Sequence, residues 1–487
     1  MRSRVALSFA LAVLVTVPLA LAQDAPLFTS DFPPEEFAAR RAKVYDAIGK
    51  DAVALVQGAP APEGYLRFRQ ANDFYYLCGV EVPHAYLLLD GASRRATLFL
   101  PHRNERRERS EGKLLSAEDA ELVTKTSGVE AVAGTDLLGE TLARYGQRGA
   151  TRVVFVPLQP AEGLSVSRDG ALRAVGETGS DPFDGRPSRE GVLVRNLRDR
   201  YPWMEIRNLT PALDEARLVK SPREIALIKR ATRLACLSIL EAMRSTEPGT
   251  YEHELDGVSR FVYYRHGAQG EAYYSLVASG KNAWYPHYSS GRRKMLDGEM
   301  VLMDHAPDVG YYMSDITRMW PVNGRFSSEQ RELYGFYLAT YKAILKAIRP
   351  GVTKQAIMEE AATEMDRITA ATRFSKPVYE KAAKEFVKAY RESAQRGGLG
   401  HQVGMSTHDV GQSDVLRPGM VFTIEPQFRV PEEQLYWRLE DLIVIGETKA
   451  EVVSEWLPVD VDAVEKTMRE PGILQRYPRD PEGLPSR

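Results

Sequence analysis

Residues 299–322 read E-M-V-L-M-D-H-A-P-D-V-G-Y-Y-M-S-D-I-T-R-M-W-P-V. Apolar and β-favouring residues flank the turn signal Pro307-Asp308-Val309-Gly310, so the stretch predicts a β-hairpin. A turn over Pro307–Gly310 places Asp304 opposite Met313 and Asp315 opposite Leu302. The two aspartates then form a diagonal pair on one face, roughly 7–8 Å apart at the backbone. Two carboxylates that point the same way inside a hairpin repel each other and lose hydration. A cation between them is expected.

A second hairpin answers the first. Residues 419–446 read G-M-V-F-T-I-E-P-Q-F-R-V-P-E-E-Q-L-Y-W-R-L-E-D-L-I-V-I-G. A turn over Pro431–Gln434 sets Glu425 opposite Glu440, with Arg438 on the same face two residues earlier. Between the hairpins, G-G-L-G-H-Q-V-G-M-S-T-H-D (residues 397–409) supplies His401 and His408 on a glycine-rich stretch. Asp304, Asp315, Glu425 and Glu440 with neutral His401 make a strongly anionic set that two divalent cations would balance. Oxygen donors with a single nitrogen suit manganese, magnesium, iron or cobalt better than structural zinc. A pair of such ions activates water and polarises a carbonyl or phosphoryl oxygen. The bland alternative, four acids on solvated strand faces, fits a single acid well and two opposed pairs poorly.

Outside these segments the chain has 487 residues, 44% hydrophobic and 27% charged, an ordinary globular composition that length divides into two or three domains. A formal charge of −2 offers no basic footprint for nucleic acid. Arg2 and Arg4 precede an apolar run from Val5 to Leu21 and a small-residue site ending at Ala22. Residues 1–22 therefore read as a secretory signal peptide, with export to a periplasm or the medium expected and no membrane anchor. The two cysteines, Cys78 and Cys236, sit among apolar neighbours and read as buried free thiols.

Residues 23–210 alternate helical and strand-like runs, an α/β domain. Pro33–Lys50 predicts a helix. Ala52–Gln57, Tyr75–Gly79, Ala85–Leu89 and Ala96–Leu100 predict strands. Residues 160–189, rich in Gly, Ser, Asp, Pro and Arg without period, predict a surface insertion or mobile loop. His102–Lys113 reads as a solvated helix face. Ser221, Pro222 and Glu224 form a capping box at the head of a long helix that opens a second domain, residues 211–468. There a helix (252–267), a strand (272–278) and the loop G-K-N-A-W-Y-P-H-Y precede the first hairpin. Helices at 328–348, 354–370 and about 378–395 precede the histidine loop and second hairpin, as if one helix-plus-hairpin half were repeated. Residues 469–487 read as a Pro- and Arg-rich tail. His287 and His408 are candidates for proton transfer near an activated water or for packing against aromatics, and the residues alone leave both readings open. His305 alternates away from Asp304 and is set aside.

The set V-L-M-D304, S-D315-I-T-R-M-W-P-V-N-G, G-L-G-H401, H408-D, I-E425-P and R438-L-E440-D resembles the pita-bread metallopeptidases, and among them the aminopeptidase P family. N-D-F-Y-Y-L-C-G-V-E-V-P-H-A-Y-L-L-L-D, residues 72–90, is similar to that family's N-terminal domain. The resemblance implies an N-terminal creatinase/prolidase-like domain followed by a pita-bread catalytic domain. It implies two divalent metals, usually manganese, with Asp304 chelating one, His401 and Glu425 completing the other, and Asp315 and Glu440 bridging both. A metal-bridging hydroxide would attack the scissile carbonyl with Glu425 as general base. His287 would shuttle a proton or bind the intermediate, His408 would touch substrate beside the proline site, and Arg438 would orient Glu440 from behind. The implied reaction removes the N-terminal residue from peptides with proline second, in a dimer or tetramer. Gly397 departs from the family's H-G-x-x-H, Gln427 replaces a usual glycine, and the 160–189 insertion is atypical. A dipeptide-specific prolidase, an aminopeptidase with relaxed proline selectivity and a non-catalytic binder on the same fold stay as alternatives.

Overall fold

The computed structural model describes residues 31–147, 152–163 and 166–478; the signal-peptide segment and the end of the tail lie outside the described residues. In the first half, a six-stranded mixed sheet runs in the spatial order Ala131–Gly134, Arg95–Leu100, Tyr86–Asp90, Ala52–Gln57, Val153–Val156, Glu205–Asn208. Ala52–Gln57 pairs antiparallel with Tyr86–Asp90 on one side and parallel with Val153–Val156 on the other. The helix Pro34–Ile48 covers one face with Phe37, Val44 and Ile48 buried.

Tyr75–Gly79 is not a strand. Asn72–Cys78 forms a short helix ended by Gly79 at φ 69°, in the left-handed region where glycine has no Cβ penalty. Phe74 to Cys78 are all buried, so the segment shows no alternation, and its aromatic content mimics a strand while packing decides for helix. Residues 160–189 are a surface segment, mostly exposed from 172 to 187, but not a loop throughout. Arg168–Ser180 is a helix capped by Ser167, whose hydroxyl accepts from the Gly170 N–H (2.9 Å), and Glu162 and Arg168 are buried. Glu105–Glu111 is a helix with no buried residue.

The second half opens with the helix Pro222–Ser245, where Ser221 and Glu224 form the expected capping box. One sheet joins Leu276–Ser279, Met300–His305 and Ile316–Pro321; another joins Val421–Ile424, Asp441–Ile445 and Ala450–Val452. Helices Ser328–Ala347, Lys354–Ala371 and Pro377–Ala394 lie between them in sequence. The two sheets meet where the Glu440 N–H donates to the Thr317 carbonyl (3.1 Å). Beneath this junction buried Arg318 donates to Asp441 (2.5 Å) and to the Glu440 carbonyl (2.8 Å). The Thr423 N–H donates to the His401 carbonyl (2.9 Å), which lays the histidine loop along the second hairpin.

The first hairpin's register differs from the expected one. Asp304 pairs with Thr317, not Met313. The connection is longer because Pro307–Asp308 leaves to pair with Gly270–Glu271, and the tight reversal falls at Val309–Tyr312. The offset is even, so Asp304 and Asp315 still share a face. The second hairpin keeps its expected register, with Phe428 opposite Trp437 and Ile424 opposite Asp441. A continuous apolar core links the two halves, and Tyr75 stacks on Tyr311 with ring centroids 3.6 Å apart. Both cysteines are free and buried. No described helix is long and apolar enough to cross a membrane.

Candidate metal centre

Each hairpin ends its ladder at the same place. The strand Met300–His305 delivers Asp304, and Asp315 stands one residue before the strand Ile316–Pro321. Glu425 and Glu440 leave Val421–Ile424 and enter Asp441–Ile445 at directly opposed positions. His401 Nε2 lies 3.6 Å from Asp315 Oδ2, 3.6 Å from Glu425 Oε1 and 3.6 Å from Glu440 Oε1. These separations are too long for hydrogen bonds and suit donors that share a central ion. Asp304, Asp315 and Glu440 form one convergent group, His401, Glu425 and Glu440 a second, each with donor atoms within 4.8 Å of one another.

Charge is unevenly compensated here. Burial and the charges of Glu440 and Asp304 raise the Asp315 carboxyl well above its ordinary range. Burial would raise Asp304 too, but the Arg438 guanidinium holds it low. Burial and the Glu440 charge push Glu425 up to about 7. Glu440 Oε1 is buried without a hydrogen-bond partner, while its Oε2 accepts from Thr317 Oγ1 (2.8 Å). A buried carboxylate oxygen with no donor, among three further carboxylates, is a costly arrangement unless a cation occupies the space between them. The donor set fits divalent metal ions.

Arg438 acts differently from expectation. Its guanidinium donates to Asp304 and to Glu425 Oε2 (3.2 Å), not to Glu440. It therefore spans one acid from each hairpin. Tyr273 escaped the sequence reading altogether. Its hydroxyl donates to Asp304 Oδ1 (2.5 Å) and also contacts Asp315 Oδ1, so it links one oxygen of each aspartate. No local sequence signal marks it; the sheet brings it there, since Leu276, three residues on, pairs with Asp304.

His408 stacks on His401 with ring centroids 3.8 Å apart and planes 13° apart. His287 is exposed, follows the turn Gly280–Trp284, and is near enough to act electrostatically on His408. His305 points away, buried between Ser238 and Ser259 (3.0 Å each). The histidine loop needs glycine at position 400, because a Cβ on Gly400 would lie 1.7 Å from the Thr423 carbonyl oxygen. A cavity of about 420 Å³ opens from His401, His408 and Glu425 toward Phe386, Tyr390 and Gln427. From residues 160–168, the Val166 carbonyl accepts from the His408 N–H (3.2 Å), so this segment reaches the site itself.

Known proteins share both halves of the chain. Metallopeptidase family M24 matches residues 226–447, and the aminopeptidase P N-terminal domain matches residues 37–155. The Xaa-Pro aminopeptidase of Escherichia coli (strain K12) is 29% identical over 450 residues, covering 86% of this chain and 94% of the relative. Xaa-Pro aminopeptidase 3 of Homo sapiens is 29% identical over 461 residues, covering 88% and 85%. The structure of E. coli aminopeptidase P with the inhibitor Pro-Leu superposes with a TM-score of 0.71 at 26% identity, over 90% of this chain and 99% of that one. With both domains matched in order and the five convergent donors inside the catalytic one, the chain belongs to the aminopeptidase P group of the M24 metallopeptidases, hydrolases of peptide bonds.

Proposed function

We propose that this protein is an exported, dinuclear metal-dependent aminopeptidase that releases the N-terminal residue from peptides whose second residue is proline. The observation that carries the reading is the convergence of His401 Nε2 with Asp315, Glu425 and Glu440 at 3.6 Å around a buried, unpartnered Glu440 Oε1. Asp304 and Asp315 would hold one ion, His401 and Glu425 the other, with Asp315 and Glu440 shared. Two divalent cations, manganese in this reading, supply Lewis acidity that polarises the scissile carbonyl and acidifies water.

The chain's own residues do the remainder. Glu425, whose carboxylate faces His401 (3.6 Å), can take a proton from the attacking water and return it to the departing nitrogen. Arg438 holds Asp304 and Glu425 in fixed relation. His287, exposed at the rim, donates to the oxyanion as the carbonyl becomes tetrahedral, and His408, stacked on His401, lines the side of the leaving proline. Export rests on the pattern of residues 1–22, and a dimer or tetramer closes the site.

The test is hydrolysis by manganese-loaded mature protein of an Xaa-Pro dipeptide, an Xaa-Pro-Yaa tripeptide and an Xaa-Ala-Yaa tripeptide. The expected result is preference for the proline tripeptide. Preference for the dipeptide would make the protein a prolidase. Cleavage of the alanine peptide alone would leave hydrolysis and remove proline selectivity.

A further inference from the structure

The second hairpin continues beyond the metal centre, and its outer end holds a cation with no acidic partner. The register is the same on both sides of the break in the ladder, Ile424 opposite Asp441 and Phe428 opposite Trp437. One face therefore carries three successive rungs: Glu425 with Glu440, Gln427 with Arg438, and Arg429 with Tyr436. Arg429 is half-buried. Its guanidinium lies over Trp284 (5.0 Å) and Tyr436 (4.9 Å), and it donates to Gln427 (3.1 Å). Among the described residues no carboxylate pairs with it. Arg318 and Arg438, the other arginines next to the centre, are both salt-bridged to aspartates. Trp284 precedes His287 by three residues, so this cation also faces the loop at the rim.

A second cavity, of about 330 Å³, continues the first along the helix Pro377–Ala394. The two share Phe386, Ala389 and Gln427, and Arg429 lines the outer one. Lys381 there is already paired with Glu432 (2.8 Å), and Glu385 is exposed. Arg429 stands four residues from Glu425, about 13 Å along the strand at ~3.3 Å per residue. A leaving peptide of two or three residues covers roughly 7–10 Å from the scissile carbon, and the long arginine side chain closes the remainder.

We propose that Arg429, clamped between Trp284 and Tyr436, binds the C-terminal carboxylate of short peptide substrates and biases the enzyme toward tri- and tetrapeptides. This rests on the aminopeptidase reading above and names the substrate class within it. Planar guanidinium suits a carboxylate through two parallel hydrogen bonds, and the aromatic clamp holds the fork in place.

The test compares kcat/KM for a tripeptide as free acid and as C-terminal amide, with proline and, separately, alanine in second place. Whichever second residue is accepted reports the same ratio, so loss of proline selectivity leaves this test intact. The expected acid-to-amide ratio is about tenfold or more, falling to near one in Arg429→Gln. Calorimetry of a Pro-Yaa dipeptide against its amide on the unmutated protein gives the same contrast without relying on the variant's fold. Equal cleavage and binding of acid and amide would overturn the proposal. So would an unchanged ratio in Arg429→Gln, or a preference for an acidic first residue that this substitution abolishes.

Discussion

Replacing Arg217 by methionine tests whether the segment before residue 168 is built into the active site. Arg217 is 1% exposed, and its guanidinium donates to Asp73 (2.7 Å), Glu162 (3.2 Å) and Asp409 (2.6 Å). It thus joins the short helix of the first half, the 160–168 segment and the residue after His408. Removing one partner of a buried ion pair costs about 3–5 kcal/mol, because the other charge stays buried. Here the lower end applies: Asp409 keeps Lys220 (3.1 Å) and Glu162 keeps Arg168 (2.7 Å), while Asp73 loses its cation. Guanidinium unfolding should therefore show a loss of about 3 kcal/mol, and adding Asp73→Asn should return about 1 kcal/mol or more. Trypsin provides a local reading, since Arg168 is 8% exposed and should resist cleavage until the network is broken. Stability within about 0.5 kcal/mol of the unmutated protein, with Arg168 still resistant, would refute the reasoning.

His305 predicts a pH dependence of stability. Burial lowers its pKa from 6.5 to about 4, so between those values the unfolded chain binds a proton that the folded one refuses. Stability should fall by about 3 kcal/mol as pH drops through that window, at ~1.36 kcal/mol per unit, and His305→Gln should flatten the slope. An equal slope in the variant would remove His305 as the cause. Gly397→His, which restores the H-G-x-x-H pattern, should raise selectivity for proline; a Cβ there meets nothing within 4 Å, but φ of +68° should cost about 1 kcal/mol in thermal unfolding. An unchanged substrate ranking would free position 397 from specificity. His287→Ala should keep manganese content normal while kcat falls about 10²–10⁴-fold. An unchanged kcat would leave that histidine a surface group.

The acidic hairpins were legible because their chemistry is periodic: a tight turn at Pro431–Gln434 sets the partner of every residue on either strand, including Glu425 and Glu440. The first hairpin hid its register because Pro307–Asp308 pairs with a distant strand, which no local turn signal reports. The helix Arg168–Ser180 was obscured by glycines at 170, 176 and 179, and is fixed by its Ser167 cap and the burial of Arg168. Tyr273 and the Arg217 network were illegible for a related reason. Both depend on side chains brought together across long sequence separations, 31 residues from Tyr273 to Asp304 and 192 from Arg217 to Asp409.

The central claim is that the four carboxylates and His401 exist to hold two metal ions that the reaction requires. Its most direct test is manganese content measured beside turnover, for the unmutated protein and for Asp304→Ala and Glu440→Ala. The account predicts two ions per chain, inactivation by chelation with recovery on adding manganese, and joint loss of metal and turnover in both variants. Undiminished turnover by metal-free protein, or by either variant, would contradict it.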